Sequence, residues 1–484
     1  MDILFIASEA VPFAKTGGLA DVAGILPQAL AHSATVSLMI PEYLTEKIRG
    51  LTLETVDSFP VQIGSQVFQA GIKKTSLSPR LSVYFVSQEL FFARKSLYGD
   101  AHGEYPDNFQ RFLFFQKAVV GFMRRQEIHF DIIHCHDWQA ALIPLLIKVP
   151  SMPSFLLKTK VVFSIHNLGY QGIFKGDLFK QTGLPDYLFS PDYLEFFGNI
   201  NFMKAGIIFS DWLLTVSPTY AREILLPDNG FGLDGLLNKF SFKLSGILNG
   251  VDYSQWNPET DRYIDFPYSR LTLGAKVRNK GAVYAELGIS TDPRVPLLVL
   301  ISRIAAQKGI DLLLDLLPLL LEEDVQVIIL GEGDSLLTER LQGVAAQFPG
   351  KTTFLNYFDE RMAHRLEAAA DVFFMPSVYE PCGLNQIYSM KYGTVPIVRA
   401  TGGLEDSVQE FNLDTGSGTG FKFSRNTISE IMLLIKKVLT LYRDAKVWRQ
   451  IQENGMMRNF SWETVVAEYL KVYNKILRED NNHG

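Results

Sequence analysis

Very little in this chain could cross-link it. Cys135 and Cys382 are the only two cysteines in 484 residues, and neither sits in a Cys-x-x-Cys pair. That excludes a disulfide scaffold and fits a reducing compartment. Long apolar runs are missing too: Leu312 to Leu321 is interrupted by Asp315, and Pro296 to Ile301 is far too short to span a bilayer. Charge of one sign is not in excess, with 46 Lys and Arg against 52 Asp and Glu and a net charge of −6. This argues against nucleic-acid binding by bulk charge but leaves room for a local basic pocket. The 37 glycines and 22 prolines follow no period, so collagen-like and low-complexity architectures fail. The start, Met-Asp-Ile-Leu-Phe-Ile-Ala-Ser-Glu, has no basic segment of a secretory leader, and Glu9 breaks its apolar run. The expectation is a soluble cytoplasmic protein with neither membrane nor nucleic acid as partner.

Apolar residues make up 47% of the chain, enough for large cores, and the length suggests about two or three domains. Short apolar runs followed by glycine turns and helix-like stretches recur: Ile3 to Ala7, Thr35 to Ile40, Leu81 to Val86, Ile132 to Cys135, Val161 to Ile165 and Leu213 to Val216. The pattern weakens through the turn formers between Ile247 and Asp261. It restarts with Pro296 to Ile301, Val325 to Leu330, Thr353 to Leu355, Val372 to Met375 and Pro396 to Val398. Continuous apolar strands alternating with helices predict an α/β protein: two doubly wound, Rossmann-like parallel-sheet domains with a hinge near residue 250. Ligands in such sheets bind beyond the carboxyl ends of the strands, so a cleft between the two halves is expected.

Five corners carry chemistry. Lys15-Thr16-Gly17-Gly18 enters a helix, where glycines permit close backbone approach and N–H groups favour anions. The alternative is a plain tight turn with Lys15 in solvent. This loop is neither a dinucleotide fingerprint nor a P-loop. His134-Cys135-His136-Asp137-Trp138 invites a metal, but Cys135 alternates to the opposite face and no second ligand pair has zinc-like spacing. Asp137 and Trp138 suit a sugar, or else a cap and a buried indole. His166-Asn167-Leu168-Gly169-Tyr170-Gln171-Gly172 follows a strand and is dense in hydrogen-bonding groups. Arg303 and Lys308, five residues apart on a strand–loop–helix corner, could clamp a diphosphate. In Glu380-Pro381-Cys382-Gly383-Leu384-Asn385 the loop fixed by Pro381 and Gly383 should present the Leu384 and Asn385 N–H groups to phosphate, with Cys382 a packing residue. A six-residue echo links Lys15–Asp21 to Ala400–Asp406, suggesting similar loops in the two halves.

Together with Leu248-Asn249-Gly250-Val251-Asp252, these motifs resemble the bacterial glycogen synthase and plant starch synthase family over nearly the whole chain. The resemblance implies a GT-B fold: an N-terminal domain over 1–247, a nucleotide-sugar domain over 248–460 and a C-terminal helix over 461–484 crossing back to the first. It implies retaining transfer of glucose from a sugar nucleotide to the non-reducing end of an α-1,4-glucan, with no metal and no cofactor. ADP-glucose is the expected donor and UDP-glucose the alternative. Carried over, Lys15, Thr16, Gly17 and Gly18 lie at the donor, and Asp137 and His166 hold the glucose and stabilise an oxocarbenium ion, His166 partly through its carbonyl. Asn249 touches a sugar hydroxyl, and Arg303 and Lys308 neutralise the leaving diphosphate. The segment Cys382, Gly383, Leu384 and Asn385 binds phosphate through backbone amides, Glu380 binds glucose hydroxyls, Glu9 contacts the acceptor and Phe358 packs on the nucleobase.

The chain departs from the family pattern at Gln139, at Tyr357-Phe358 and at Asn385. Tyr388 occupies the position where retaining enzymes with lipid or small-molecule acceptors often carry a second Glu, which favours the glucan group. An inactive glucan-binding homologue would be expected to lose Lys15, His166, Arg303, Lys308 or Glu380, and all five are present. Oligomeric state and regulation leave no mark in the sequence.

Overall fold

The computed structural model describes residues 1–100, 103–149 and 152–479. These divide into two compact units: residues 1–216, 221–247 and the chain from Trp462 onward form the first, and residues 217–220 and 248–461 the second.

The first unit is built on a nine-stranded sheet. Its strands are β1 (Asp2–Ile6), β2 (Thr35–Pro41), β3 (Glu54–Ile63), β4 (Gln66–Ser78), β5 (Leu81–Ser87), β6 (Ile132–His136), β7 (Lys160–Ile165), β8 (Trp212–Thr215) and β9 (Leu244–Gly246). They lie in the order β9-β8-β7-β6-β1-β2-β5-β4-β3. β1 pairs in parallel with both β2 and β6, so that Ile3 faces Val36 on one side and Ile132 on the other. The predicted parallel strands are present to within one or two residues. The β3–β4 hairpin, in which β4 runs antiparallel to both β3 and β5, was not expected. It turns at Gly64, whose φ of +56° suits glycine. The end of β3 alternates exposed and buried residues, the mark of an antiparallel ribbon with one wet face.

Helices α1 (Gly18–Leu30), α2 (Asn108–Arg125) and α3 (Trp462–Glu479) belong to this unit. α1 follows β1, and its Leu19, Ala20, Val22, Ala23, Leu26 and Leu30 are buried. On α2 the fully buried Arg111 donates to the carbonyls of Phe91 and Leu97, fixing the segment that ends at Tyr98.

The second unit has a six-stranded, all-parallel sheet. Its strands are β10 (Leu297–Ile301), β11 (Gln326–Leu330), β12 (Thr352–Leu355), β13 (Val372–Met375), β14 (Val395–Arg399) and β15 (Phe421–Phe423), ordered β12-β11-β10-β13-β14-β15. Leu298, Leu300, Val327 and Ile329 enter one apolar core, while Leu297, Val299, Ile301, Ile328 and Leu330 enter another. Both faces are therefore covered, which explains why these strands read as unbroken apolar runs. The Ser217–Tyr220 segment clusters with this unit although it follows β8 in sequence. No helix among the described residues is long and apolar enough to cross a membrane.

Candidate active site

Each sequence motif lies at or just beyond the carboxyl end of a strand. In the first unit β1 leads to Glu9 and the Lys15–Gly18 loop, β6 to Asp137 and β7 to His166. Glu9 is buried, and its carboxylate accepts hydrogen bonds from the Thr16 backbone N–H and, at 2.9 Å, from the Thr16 hydroxyl. Burial pushes its pKa up to about 6 against these donors. Glu9 thus organises the loop that the resemblance assigns to the donor. Lys15 turns to Asp21 at 2.7 Å, its side chain 53% exposed, so in this conformation the ammonium is paired on α1. At Gly17 and Gly18 an added Cβ would meet no atom within 4 Å, whereas one at Gly24 would collide with the Val11 carbonyl at 2.3 Å. Packing within the chain therefore demands glycine at Gly24 but not at the loop, where close approach of a ligand is the remaining physical reason.

Asp137 is one of four non-glycine residues with positive φ among the described residues, at +54°. Such a conformation costs about 1 kcal/mol and persists where surrounding bonds impose it. Here the bond is from the His166 backbone N–H to Asp137 Oδ1, at 2.7 Å. Burial drives the Asp137 carboxyl from 3.8 up to about 7, while burial lowers His166 to about 3. His166 is therefore a neutral imidazole throughout the working range. Trp138 is not a sugar platform: it is 8% exposed and packs edge-on against Phe112, with ring centroids 4.9 Å apart, and against Phe174. Its indole is held in the core because Gly172 brings the backbone against its face. Among the described residues no group of three or more His, Cys, Asp or Glu side chains is placed to hold a metal ion.

In the second unit β10 leads to Arg303 and Lys308, β12 to Phe358 and β13 to Glu380. Lys308 and Glu380, 72 positions apart, meet at 2.6 Å, and Ser377 donates a second bond to the same carboxylate oxygen at 2.9 Å. Arg303 is exposed at the same corner. Helix α4 (Asn385–Lys391) opens beside the pair with Leu384 as its N-cap residue. The Asn385 side chain donates to the Ile301 carbonyl at 2.7 Å, so this departure from the family pattern pins the helix start to the end of β10. Gly309 (φ +72°) lies where a Cβ would sit 2.1 Å from the Pro376 carbonyl, and Gly402 (φ +45°) where it would sit 1.9 Å from that of Glu380. These two glycines let the strand-end loops touch backbone to backbone, which brings Lys308 to Glu380.

Cys382 is buried and its thiol receives the Asn249 backbone N–H, with burial pushing the thiol up to about 12. Any contact it makes with substrate is through the main chain. Gly383 has φ +69°, and a Cβ there would meet the Gln386 side chain at 2.7 Å. Asn249 is buried with its Oδ1 unpartnered, an acceptor left available to a hydroxyl. Phe358 is 65% exposed, which leaves its face open for stacking. The sequence gives no sign of Tyr98 or Ser377, and it offers His136 only as a metal candidate. Tyr98 bonds Ser8 at 2.6 Å and the Glu9 carboxylate. It sits in a segment with no periodic apolar signal, and it is placed from a distance: Asn108 of α2 donates to its carbonyl at 2.9 Å, and Arg111 holds the neighbouring Leu97 carbonyl.

The chain matches the family described as starch synthase catalytic domain over residues 2–239 and that described as glycosyl transferases group 1 over residues 288–455. A glycogen synthase of Koribacter versatilis is 42% identical, the match covering 98% of this chain and 98% of that one. Glycogen synthase 2 of Geobacter sulfurreducens is 40% identical with the same coverage. This chain belongs to the glycogen and starch synthase family. Its members are retaining glycosyltransferases of GT-B fold, and this chain is one of them. The solved catalytic domain of starch synthase IV from Arabidopsis thaliana, bound to ADP and acarbose, is similar with a TM-score of 0.90 and 32% identity, covering 98% of this chain and 99% of that one. A sucrose-phosphate synthase of Thermosynechococcus elongatus, at 17% identity and a TM-score of 0.62, shares the fold alone.

A glycogen synthase that uses ionised Asp137 to hold a sugar and stabilise positive charge should lose kcat/KM as that carboxylate is protonated. The expected profile rises with pH through a midpoint near 7, and His166 adds no limb because its pKa is about 3. Stability runs the other way. Between the ordinary 3.8 and about 7 the native state holds a proton that the unfolded chain has released, so this group's contribution falls as pH rises. A kcat/KM flat from about pH 6 to about pH 8 would contradict the assignment.

Proposed function

We propose that this protein acts as a glycogen synthase, extending α-1,4-glucans in the cytoplasm by transferring glucose from ADP-glucose to a non-reducing end. The observation that carries this reading is the corner where the Lys308–Glu380 pair and exposed Arg303 stand beside the start of α4. Two cations and the backbone N–H groups of Leu384 and Asn385 suit the charge that accumulates on a departing nucleoside diphosphate. The bond from glucose C1 to the phosphate oxygen breaks, and its electrons stay on the diphosphate. The acceptor hydroxyl attacks C1 from that same face and passes its proton to the leaving oxygen. Configuration is retained with no protein nucleophile. Asp137 stabilises the positive charge developing on the sugar, and Asn249 Oδ1 accepts from a sugar hydroxyl.

Adenine is the base we assign to the donor, supported by the ADP found in the Arabidopsis relative, with Phe358 as the stacking face. Incorporation of labelled glucose into glycogen from each nucleotide sugar tests this. ADP-glucose should be used severalfold faster, and a preference for UDP-glucose would overturn the donor assignment while leaving the transfer chemistry standing.

We further propose that no metal and no cofactor is needed, since protein cations and helix-start N–H groups meet the diphosphate charge. Full activity is expected after exhaustive dialysis against EDTA. Loss that Mg²⁺ or Mn²⁺ specifically restores would contradict the proposal.

A further inference from the structure

His134 and His136 share one face of β6, their ring centroids 4.2 Å apart. Both nitrogens of His134 are engaged by protein: Nδ1 with the Tyr473 hydroxyl of α3 at 2.7 Å and Nε2 with the Ser164 hydroxyl at 2.7 Å. His136 differs. Its Nδ1 lies 2.9 Å from His166 Nε2, and its Nε2 is buried with no partner.

Burial holds both rings well below their ordinary protonation range, so each is neutral with a single N–H. One of the two facing nitrogens must then donate and the other accept. With the His136 proton on Nε2, a buried N–H would be orphaned. With it on Nδ1, only a lone pair is left over. Orphaned buried N–H groups are the rarer case. The proton of His136 therefore sits on Nδ1 and is donated to His166 Nε2, which leaves the proton of His166 on its own Nδ1.

We propose that His136 is a positioning residue that holds His166 as the Nδ1–H tautomer, so that the ring offers the sugar a hydrogen-bond donor and not an acceptor. This rests on the reading above that His166 faces the transferred glucose. The ring then meets a sugar oxygen without adding positive charge beside a cationic transition state. Contact with the His134 ring, itself tied to Tyr473 and Ser164, and stacking on Phe5 keep His136 from rotating.

Two substitutions separate positioning from packing. In His136→Asn the side-chain amide can stand where Nδ1 stood and still donate, whereas in His136→Gln it falls where Nε2 stood. The expected result is a fall in kcat of about tenfold or more for His136→Gln with donor KM little changed, and recovery of most of it in His136→Asn. In a His166→Ala background the two variants should turn over alike. Equal impairment by Asn and Gln, or the same Gln effect persisting without His166, would overturn the proposal. A readout independent of activity uses the full chain labelled with ¹⁵N-histidine, which has only 8 histidines. His166 should show a protonated Nδ1 and an unprotonated Nε2, reversed or averaged in His136→Gln. A wild-type His166 protonated at Nε2 would overturn the tautomer whatever the kinetics. A His166→Ala variant with normal turnover would instead remove the sugar-facing role while leaving the tautomer pattern intact.

Discussion

Lys308→Ala should lower kcat by about 10²-fold or more, and Arg303→Ala should do the same, the scale of losing one preorganised donor to a developing negative charge. The two should differ in what else they disturb. Lys308 is half-buried against the buried Glu380, and its loss removes the cation paired with that carboxylate and leaves the Ser377 hydroxyl bond, so thermal stability should fall as well. Arg303 is exposed, and its loss should leave stability unchanged. Lys308→Arg should restore little, because a planar fork does not replace a compact ammonium between a carboxylate and a phosphate. Steady-state turnover with melting curves checks all three, and near-normal turnover in both alanine variants would remove the leaving-group assignment.

Asp137→Asn should lower kcat by about 10²- to 10³-fold with the fold intact. The carboxylate accepts from the His166 and Asn167 backbone N–H groups; the amide oxygen can still accept from the His166 N–H and so keep the positive-φ backbone held, but the negative charge facing the sugar is gone. Because a carboxyl that burial disfavours as an anion has been removed, stability near neutral pH should stay level or rise. The acid limb of kcat/KM should vanish in this variant. A large loss of stability would show instead that the carboxylate is structural.

Much of this was legible in the residues. The parallel strands announced themselves because both faces of the second sheet are buried, so nearly every position in β10, β11 and β13 is apolar. The β3–β4 hairpin stayed hidden because its exposed positions break up the apolar run. The motif loops were legible as loops, but the reasons for their glycines were not. The echo between Gly17-Gly18 and Gly402-Gly403 pairs two different constraints. The first pair faces open space, while the second packs against the backbone of Glu380 and Cys382. Contacts spanning long stretches of sequence left no local trace: Lys308 with Glu380, His134 with Tyr473 and Arg111 with the carbonyl before Tyr98. Trp138 read equally as sugar face or core, and only the neighbouring Phe112 and Phe174 decide it.

This enzyme should transfer glucose from a nucleotide sugar onto a glucan with retention of configuration. Proton NMR of the reaction between ADP-glucose and a maltooligosaccharide, followed from the first minutes, tests it directly. New α-1,4 anomeric signals should grow in step with released ADP, with the chain lengthened at its non-reducing end. A β-anomeric product, or free glucose in place of chain growth, would contradict it.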